Sequence, residues 1–499
     1  MITKRCSGIL MHITSLPGKY GIGTLGEEAY RFADFLDKTG QSIWQILPLG
    51  HTGYGDSPYQ CYSAFAGNPL LIDPDMLAKE GWLKPEDLEK VPVFPEHYAD
   101  FDNVAAYLYP LFRKAALRFR TLASPNEQKQ FKAFCTNNSF WLPDYAIFMA
   151  LKNHHNSQPW WEWSEPLRLR NAEAVAEAEK QYQTAIEEWK VIQYFFNKQW
   201  NLLKGYINSK GISVIGDIPL YVAFDSSDAW ANPEIFWFDK QRQPVKVAGV
   251  PPDYFSQTGQ LWGNPLYDWE YLKETGFAWW IERIRANFVL FDILRIDHFR
   301  GLAAYWAVPF GEQTAIKGDW LPAPGAELLD TIFNAIENVK IIAEDLGVIT
   351  PDVVELRERH RLPGMKILQF AFDSGEENDF LPHTYERNCI VYSGTHDNDT
   401  SKGWFEKSSE TDRQTMRDYF NPDENNIAWS FIKLAWSSVA NVAIAPLQDV
   451  LSLGSEARMN LPGQPSGWWR WRLSWRQLSE NESTKLLNTT RIFGRLKPE

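Results

Sequence analysis

The sequence is short of the residues that several common functions require. Four cysteines, Cys6, Cys61, Cys135 and Cys389, stand far apart without a Cys-x-x-Cys pair. That spacing argues against a zinc ribbon and a dithiol redox motif, and fits free thiols in a reducing compartment. No stretch approaches the roughly 18 to 20 apolar residues that cross a bilayer, and no lipidation motif is present. The opening residues, MITKRCSGILMHITSLP, hold a short apolar run interrupted by His12 and no small-residue cleavage site. No signal peptide is therefore expected, and a cytoplasmic location is. Positive charge is in deficit: 50 Lys plus Arg against 63 Asp plus Glu leave a net charge of −13. Such a surface repels phosphate backbones and anionic lipid, so neither nucleic acid nor membrane is an expected partner. A Gly-rich phosphate loop, internal repeats and low-complexity tracts are also missing.

Aromatic residues are abundant, with 30 Phe, 20 Tyr and 23 Trp in 499 residues. A chain of this length buries a large core and folds without staples. Short apolar, β-branched runs recur along it, separated mostly by stretches long enough for a helix. The strand candidates are Gly8 to Ile13, Ser42 to Leu47, Ile212 to Leu220, Phe288 to Asp297, Val339 to Glu344, Met365 to Phe370, Asn388 to Ser393 and Val439 to Ala445. Eight such units favour an α/β fold of the (β/α)8 TIM-barrel type over a doubly wound open sheet, with reactive groups at the C-terminal strand ends.

Two intervals exceed ordinary crossovers, from about Gly50 to Gly211 after the second strand and from Tyr221 to Asn287 after the third. The expected organisation is one catalytic barrel body over residues 1–499. A mainly helical insertion falls at 70–205, and an insertion carrying a lid loop at 223–287. Within the first, Tyr182, Ile186, Trp189, Ile192, Phe196, Trp200 and Leu203 recur at helical spacing and suit a buried face. Trp160, Trp161 and Trp163 could stack on a ligand, but buried aromatics outnumber binding ones, so packing is the expectation. The stretch GVPPDYFSQTGQLWGNP, Gly249 to Pro265, is too polar and too rich in Pro and Gly for a core strand, and reads as a loop covering a ligand.

The chemistry concentrates at strand ends. The fourth strand closes on LFDILRIDHFRG, whose alternation puts Arg295 and Asp297 on one face. A carboxylate beside a permanent cation is expected to stay ionised and could act as a nucleophile. Glu344, ending the apolar run of IIAEDLG, would sit in a drier setting that raises its pKa and suits a general acid. Asp397, beside His396 in VYSGTHDN, is a third strand-end carboxylate, while Asp217 in VIGDIPLYV would brace the strand ends. Each could be structural alone, as an ion pair or a helix cap. Together, at the face where barrel chemistry occurs, they favour a shared site. Several carboxylates, many aromatics and no phosphate loop suit glycoside chemistry, in which one carboxylic acid protonates the leaving oxygen and another carboxylate attacks the sugar.

The motifs SLPGKYGIGTLG from Ser15, YGDSPYQ from Tyr54, GDIPLYV from Gly216, GVPPDYF from Gly249, RIDHFRG from Arg295, AEDLG from Ala343, GTHDN from Gly394 and ARMNLPG from Ala457 cover nearly the whole chain. In this order they closely resemble the 4-alpha-glucanotransferases called amylomaltases or disproportionating enzymes, related to the alpha-amylase superfamily. The resemblance implies Asp297 as nucleophile, Glu344 as acid/base and Asp397 as transition-state stabiliser. It also implies sugar contacts from Ser57, Tyr59, Asp217, Asp253, Gln260, Trp262, Arg295, His298, His396 and Asn460, and a lid carrying Tyr254 and Phe255. It further implies a barrel with large, partly helical insertions after strands two and three and no separate C-terminal β-domain. The implied reaction is transfer of alpha-1,4-glucan segments from maltooligosaccharides or amylose to the 4-hydroxyl of a glucan or of glucose. No metal or other cofactor is expected, because side chains supply both acid/base and covalent steps. Spacing alone does not separate this from an alpha-glucan hydrolase. A non-catalytic glycan-binding barrel would have lost a carboxylate, and a sugar-phosphate enzyme using Asp345, Asp397 and Asp399 as metal ligands would want a phosphate site.

Overall fold

The computed structural model describes residues 4–252, 256–464 and 466–497. In chain order the strands are β1 (Cys6–Leu10), β2 (Ile43–Gln45), β3 (Ser213–Ile218), β4 (Lys246–Val250), β5 (Gln260–Pro265), β6 (Ile293–Ile296), β7 (Ala304–Pro309), β8 (Asp319–Pro322), β9 (Ile341–Ala343), β10 (Gly364–Ile367), β11 (Cys389–Tyr392) and β12 (Val442–Pro446). Eight of them form one sheet in the order β10-β11-β12-β1-β2-β3-β6-β9, and every pair is parallel. That order is chain order around a ring with its seam between β9 and β10. The seam is laced by the Ala343 N–H donating to the Pro363 carbonyl at 3.0 Å and the Met365 N–H donating to Asp345 Oδ1 at 2.7 Å. The result is a nearly closed (β/α)8 barrel. Its strands are buried on both faces, as parallel strands covered by helices must be; all five residues of β12, for example, are buried.

Each of the eight sequence-expected strands is present, though shorter than its apolar run. Phe288 to Leu290 form the last turn of the helix Ala278–Leu290, because a short apolar run satisfies a buried helix face as readily as a strand. Leu368–Phe370 turn into a 3-10 helix after β10.

Between β2 and β3 the chain is helical. The helix Gln183–Ser209 buries Ile186, Trp189, Ile192, Phe196, Trp200 and Leu203, and Tyr182 is its N-cap. Gln193 on this helix takes the Gly67 N–H at 2.9 Å and returns a bond to the Gly67 carbonyl at 2.8 Å, which fixes the Tyr54 to Pro69 segment over the barrel. Trp160 is fully buried and donates to the Phe224 carbonyl at 2.7 Å, and Trp161 stacks on Phe224 at 4.3 Å. The tryptophan cluster is packing.

A second, antiparallel sheet has the order β5-β4-β7-β8. Gly249 and Val250 pair with Leu261 and Gln260, so the two ends of the stretch read as a loop are paired antiparallel strands. One of them, β4, pairs on its other side with β7, more than 50 residues further along the chain, where Gly249 is opposite Trp306. No local pattern announces such a partner. Among the described residues no strand follows β12, and the chain closes with the helix Glu480–Ile492. No described helix is long and apolar enough to cross a membrane.

Candidate active site

The residues just beyond the C-terminal ends of β2, β3, β6, β9 and β11 converge. Arg295, in β6, is buried with 4% of its side chain exposed, and its Nη1 lies 2.5 Å from Asp217 Oδ2 and 2.9 Å from Asp297 Oδ1. The alternation along β6 puts Asp297 on the same face, as the sequence implied. The Asp297 N–H donates to the Ile218 carbonyl at 3.0 Å, which extends the parallel ladder one residue past the strand.

His298 follows with a left-handed φ of 53°, a strained conformation for a residue with a side chain. Its N–H donates to Glu344 Oε2 at 2.7 Å, and the Leu346 N–H donates to Oε1 at 3.2 Å. Among the described residues, the hydrogen bonds that position Glu344 come from backbone N–H groups. The His298 ring meets Trp262 edge-on at 4.7 Å, and the Trp262 Nε1–H donates to Gln260 Oε1 at 3.2 Å. Strand β5 therefore presents both residues to the barrel mouth.

Asp397 lies across the site. Its Oδ1 accepts from Asn460 Nδ2 at 2.6 Å, and its Oδ2 is 3.3 Å from His396 Nε2. His396 Nε2 is also 2.8 Å from the Tyr59 hydroxyl, which donates to Asp217 Oδ2 at 2.8 Å. Asp217 and Asp397, when ionised, only accept, so the chain of bonds has one direction: the Tyr59 proton goes to Asp217, and His396 Nε2 carries a proton shared between Tyr59 and Asp397. The rings of Tyr59 and His396 stack at 5.4 Å and 19°. Ser57 Oγ accepts the Tyr59 N–H at 3.2 Å and holds that turn.

These surroundings push the carboxyls apart. Burial raises Glu344 well above its usual range; Arg295 opposes this, while Asp297 adds to it. Burial also raises Asp297, to about 6, outweighing Arg295. This corrects the expectation that the adjacent cation alone sets the state of Asp297: desolvation is the larger effect. At Asp397 burial is overcome by His396, Asn460 and Arg295, which hold the carboxyl below its ordinary range.

The structure thus brings together Asp297, Glu344, Asp397, Asp217, Arg295, Tyr59, His298, His396, Asn460, Trp262 and Gln260, with Ser57 behind Tyr59. Asp253, Tyr254 and Phe255 lie outside the described residues. Asp345 and Asp399 are engaged elsewhere. Asp345 spans the barrel seam and pairs with Arg357 at 2.5 Å, and Asp399 pairs with Lys407 at 2.6 Å and Ser455 at 2.8 Å. Among the described residues no group of three or more His, Cys, Asp or Glu side chains is placed to hold a metal ion.

Two contributors escaped the sequence reading. Arg458 donates to the Asn460 carbonyl at 2.6 Å and to the Asp397 carbonyl at 2.7 Å, clamping two loops that meet at Asp397. It stands inside the ARMNLPG segment, two residues before Asn460, and that proximity was the available signal. His12 is buried just after β1, with its Nδ1 accepting the Leu47 N–H at 3.3 Å; burial and the neighbouring His396 lower its pKa to about 3. Its position after a barrel strand was the only hint.

A barrel whose mouth gathers paired carboxyls, a buried arginine and aromatic rings defines an enzyme of glycoside chemistry. The family profile described as 4-alpha-glucanotransferase matches residues 11–478. The 4-alpha-glucanotransferase of a Synechocystis strain is 50% identical over 99% of both chains, and that of Thermus thermophilus is 48% identical over 97% of both. The chloroplastic/amyloplastic enzyme of Solanum tuberosum is 45% identical over 99% of this chain and 87% of its own. An amylomaltase from Streptococcus agalactiae, solved with acarbose, superposes with a TM-score of 0.96 at 42% identity over 99% of this chain and 100% of that one. The chain belongs to the 4-alpha-glucanotransferase family. It is a glycosyl-transferring enzyme, and the hydrolase alternative gains no support from these relatives.

Proposed function

We propose that the site transfers alpha-1,4-glucan segments by a retaining double displacement, with maltooligosaccharides or amylose as donors and a glucan or glucose as acceptor, in the cytoplasm. Asp297 attacks the anomeric carbon while Glu344 delivers its proton to the departing glycosidic oxygen. The C–O bond to the leaving glucan breaks as the ester bond to Asp297 forms. Glu344, now ionised, takes the proton from the acceptor 4-hydroxyl, which attacks the same carbon and releases Asp297; two inversions give net retention. Asp397, kept ionised by His396 and Asn460, stabilises the positive charge that develops on the sugar.

The observation that carries this reading is the opposed setting of the carboxyls. Glu344 is held as an acid by burial, Asp397 as an anion by its hydrogen-bond donors, and Asp297 is tied to Arg295. Environments that separate the pKa values of neighbouring groups mark acid and base roles. The test is incubation with maltotriose and separation of products by size. A ladder of longer maltooligosaccharides with glucose is the expected result; products that are only shorter than the donor would refute transfer.

A further inference from the structure

His12 and His396 stand on either side of the end of β12. In the ring of strands β12 lies between β11 and β1; His12 follows the last residue of β1 by two positions, and His396 follows the last residue of β11 by four. Both side chains are buried, and both line one small cavity of about 30 Å³, together with Pro446 at the end of β12. A space of that size holds a water molecule when polar atoms face it. The two charged groups on its wall are committed elsewhere: Asp399 to Lys407 and Ser455, and Arg458 to the carbonyls of Asn460 and Asp397.

The two imidazoles are complementary. The Leu47 N–H donates to His12 Nδ1 at 3.3 Å, and a backbone N–H can only donate, so Nδ1 is bare and the proton of the neutral ring is on Nε2. Burial, with the neighbouring His396, holds that ring neutral. His396 is the reverse case. Its Nε2 carries the proton shared between Tyr59 and Asp397, whereas its Nδ1 is buried without a hydrogen-bond partner among the described residues. In a neutral ring that Nδ1 is an acceptor, and a buried acceptor left unpaired is destabilising. His12 offers a donor on the same cavity wall where His396 lacks one.

We propose that one water in this cavity accepts a hydrogen bond from His12 Nε2–H and donates one to His396 Nδ1, so that His12 fixes His396 in the tautomer protonated on Nε2. His12 is then a positioning residue, acting through His396 on Tyr59 and Asp397. The tautomer decides which way the hydrogen bonds run. With the proton on Nδ1 instead, His396 Nε2 would turn a lone pair toward Asp397 Oδ2, 3.3 Å away, and would draw the Tyr59 hydroxyl proton away from Asp217. Asp397 and Asp217 would each lose a donor. The consequence for the reaction rests on the reading of Asp397 as the group that stabilises charge on the sugar; the tautomer itself does not.

Two variants separate the donor from the ring's other bond. Asn puts its amide oxygen near the place of Nδ1 and nothing near Nε2, so His12→Asn keeps the Leu47 bond and loses the donor. Gln puts its amide nitrogen near the place of Nε2, so His12→Gln keeps the donor and loses the Leu47 bond. In protein labelled with nitrogen-15 at histidine, spectra correlating ring nitrogens with ring protons report each tautomer, and the signals missing from His396→Gln identify His396. The wild type should show His396 with a protonated Nε2 and a bare Nδ1. In His12→Asn the two tautomers should mix, and kcat for transfer should fall about three- to tenfold, the scale of one lost hydrogen bond; His12→Gln should retain the tautomer and most of kcat. A protonated Nδ1 on His396 in the wild type would overturn the proposal, whether or not either variant folds. Full activity in His12→Asn with loss in His12→Gln would also overturn it, by assigning His12 to the Leu47 bond alone. So would a high-resolution crystal structure with no water within hydrogen-bond distance of both nitrogens. Absence of transfer in the wild type, with the expected tautomer present, would instead overturn the glucan reading and leave the bridge between the two histidines standing.

Discussion

Replacing Asp297 by Asn should abolish transfer and, at neutral pH, make the fold more stable. The amide fills the same space but cannot form the glycosyl ester. The stability gain follows from the buried charge. Burial raises the Asp297 pKa from an ordinary 3.8 to about 6. Each unit corresponds to about 1.4 kcal/mol, so ionised Asp297 costs the folded state about 3 kcal/mol at pH 8. The side chain keeps 28% of its surface open to the cleft, and solvent there trims the figure to roughly 2 kcal/mol. Unfolding entropy of about 2 cal/mol/K per residue amounts to about 1 kcal/mol/K for a chain of 499 residues. The expected rise in melting temperature is therefore about 2 °C.

The sign of the pH dependence is specific. With a folded-state pKa above the unfolded one, the wild type loses stability relative to the Asn variant as pH rises through the window from 3.8 to about 6. The advantage of Asn is complete above that window, falls to about half at pH 5 and vanishes below pH 3.8. Thermal scans of both proteins at pH 8 and pH 5, at one scan rate, read it directly. If the ion pair with Arg295 outweighed burial, Asp297→Asn would melt below wild type at pH 8. That result, or a gain that does not shrink at pH 5, refutes the reasoning.

The same shifts predict a bell-shaped kcat/KM profile, with an acid limb near pH 6 from Asp297 and an alkaline limb from Glu344; Glu344→Gln, assayed with a donor whose leaving group needs no proton, should lose the alkaline limb only. Prolonged chelation should leave activity unchanged, whereas a loss restored by one divalent ion would return Asp345 and Asp399 to consideration as ligands. Arg458→Ala should lower kcat about ten- to a hundredfold through misplacement of Asp397 and Asn460, with Arg458→Lys recovering part of it; an unchanged kcat would make the clamp purely structural.

Much of this was legible before the structure because barrel strands carry their chemistry in sequence order. RIDHFRG, AEDLG and GTHDN each join an apolar run to a strand-end carboxyl, and alternation alone puts Arg295 beside Asp297. Distances through space were not legible. The desolvation that overrides Arg295 at Asp297 depends on everything packed around both groups, and the sequence shows only the nearest charge. The second sheet was missed because the stretch from Gly249 to Pro265 is polar and rich in Pro and Gly, and because β4 takes its other partner, β7, from more than 50 residues further along the chain. Arg458 was missed because its targets are backbone carbonyls, which have no sequence signature.

The charge balance at the site suits the opposite behaviour that the two proposed steps ask of Glu344. Asp217, Asp297, Glu344 and Asp397 surround a single guanidinium, Arg295, so full ionisation of all four would leave uncompensated negative charge in a dry cleft. Asp217 and Asp297 bind Arg295 directly, and Asp397 has His396 and Asn460. Among the described residues Glu344 has only backbone N–H donors, and in the proposed reaction it holds the proton. Its raised pKa is due first to burial, but Asp297 adds to it and Arg295 works against it. In the proposed first step Asp297 becomes a neutral ester. Its repulsion on Glu344 then disappears, and Arg295 loses one of its two anionic partners. Both changes lower the pKa of Glu344 as it gives up its proton, and make it an anion able to accept one from the incoming hydroxyl. When the ester breaks, the charge on Asp297 returns and Glu344 is pushed back to its acid form. In the proposed reaction Arg295 is therefore more than a clamp: it links the charge of Asp297 to the protonation of Glu344.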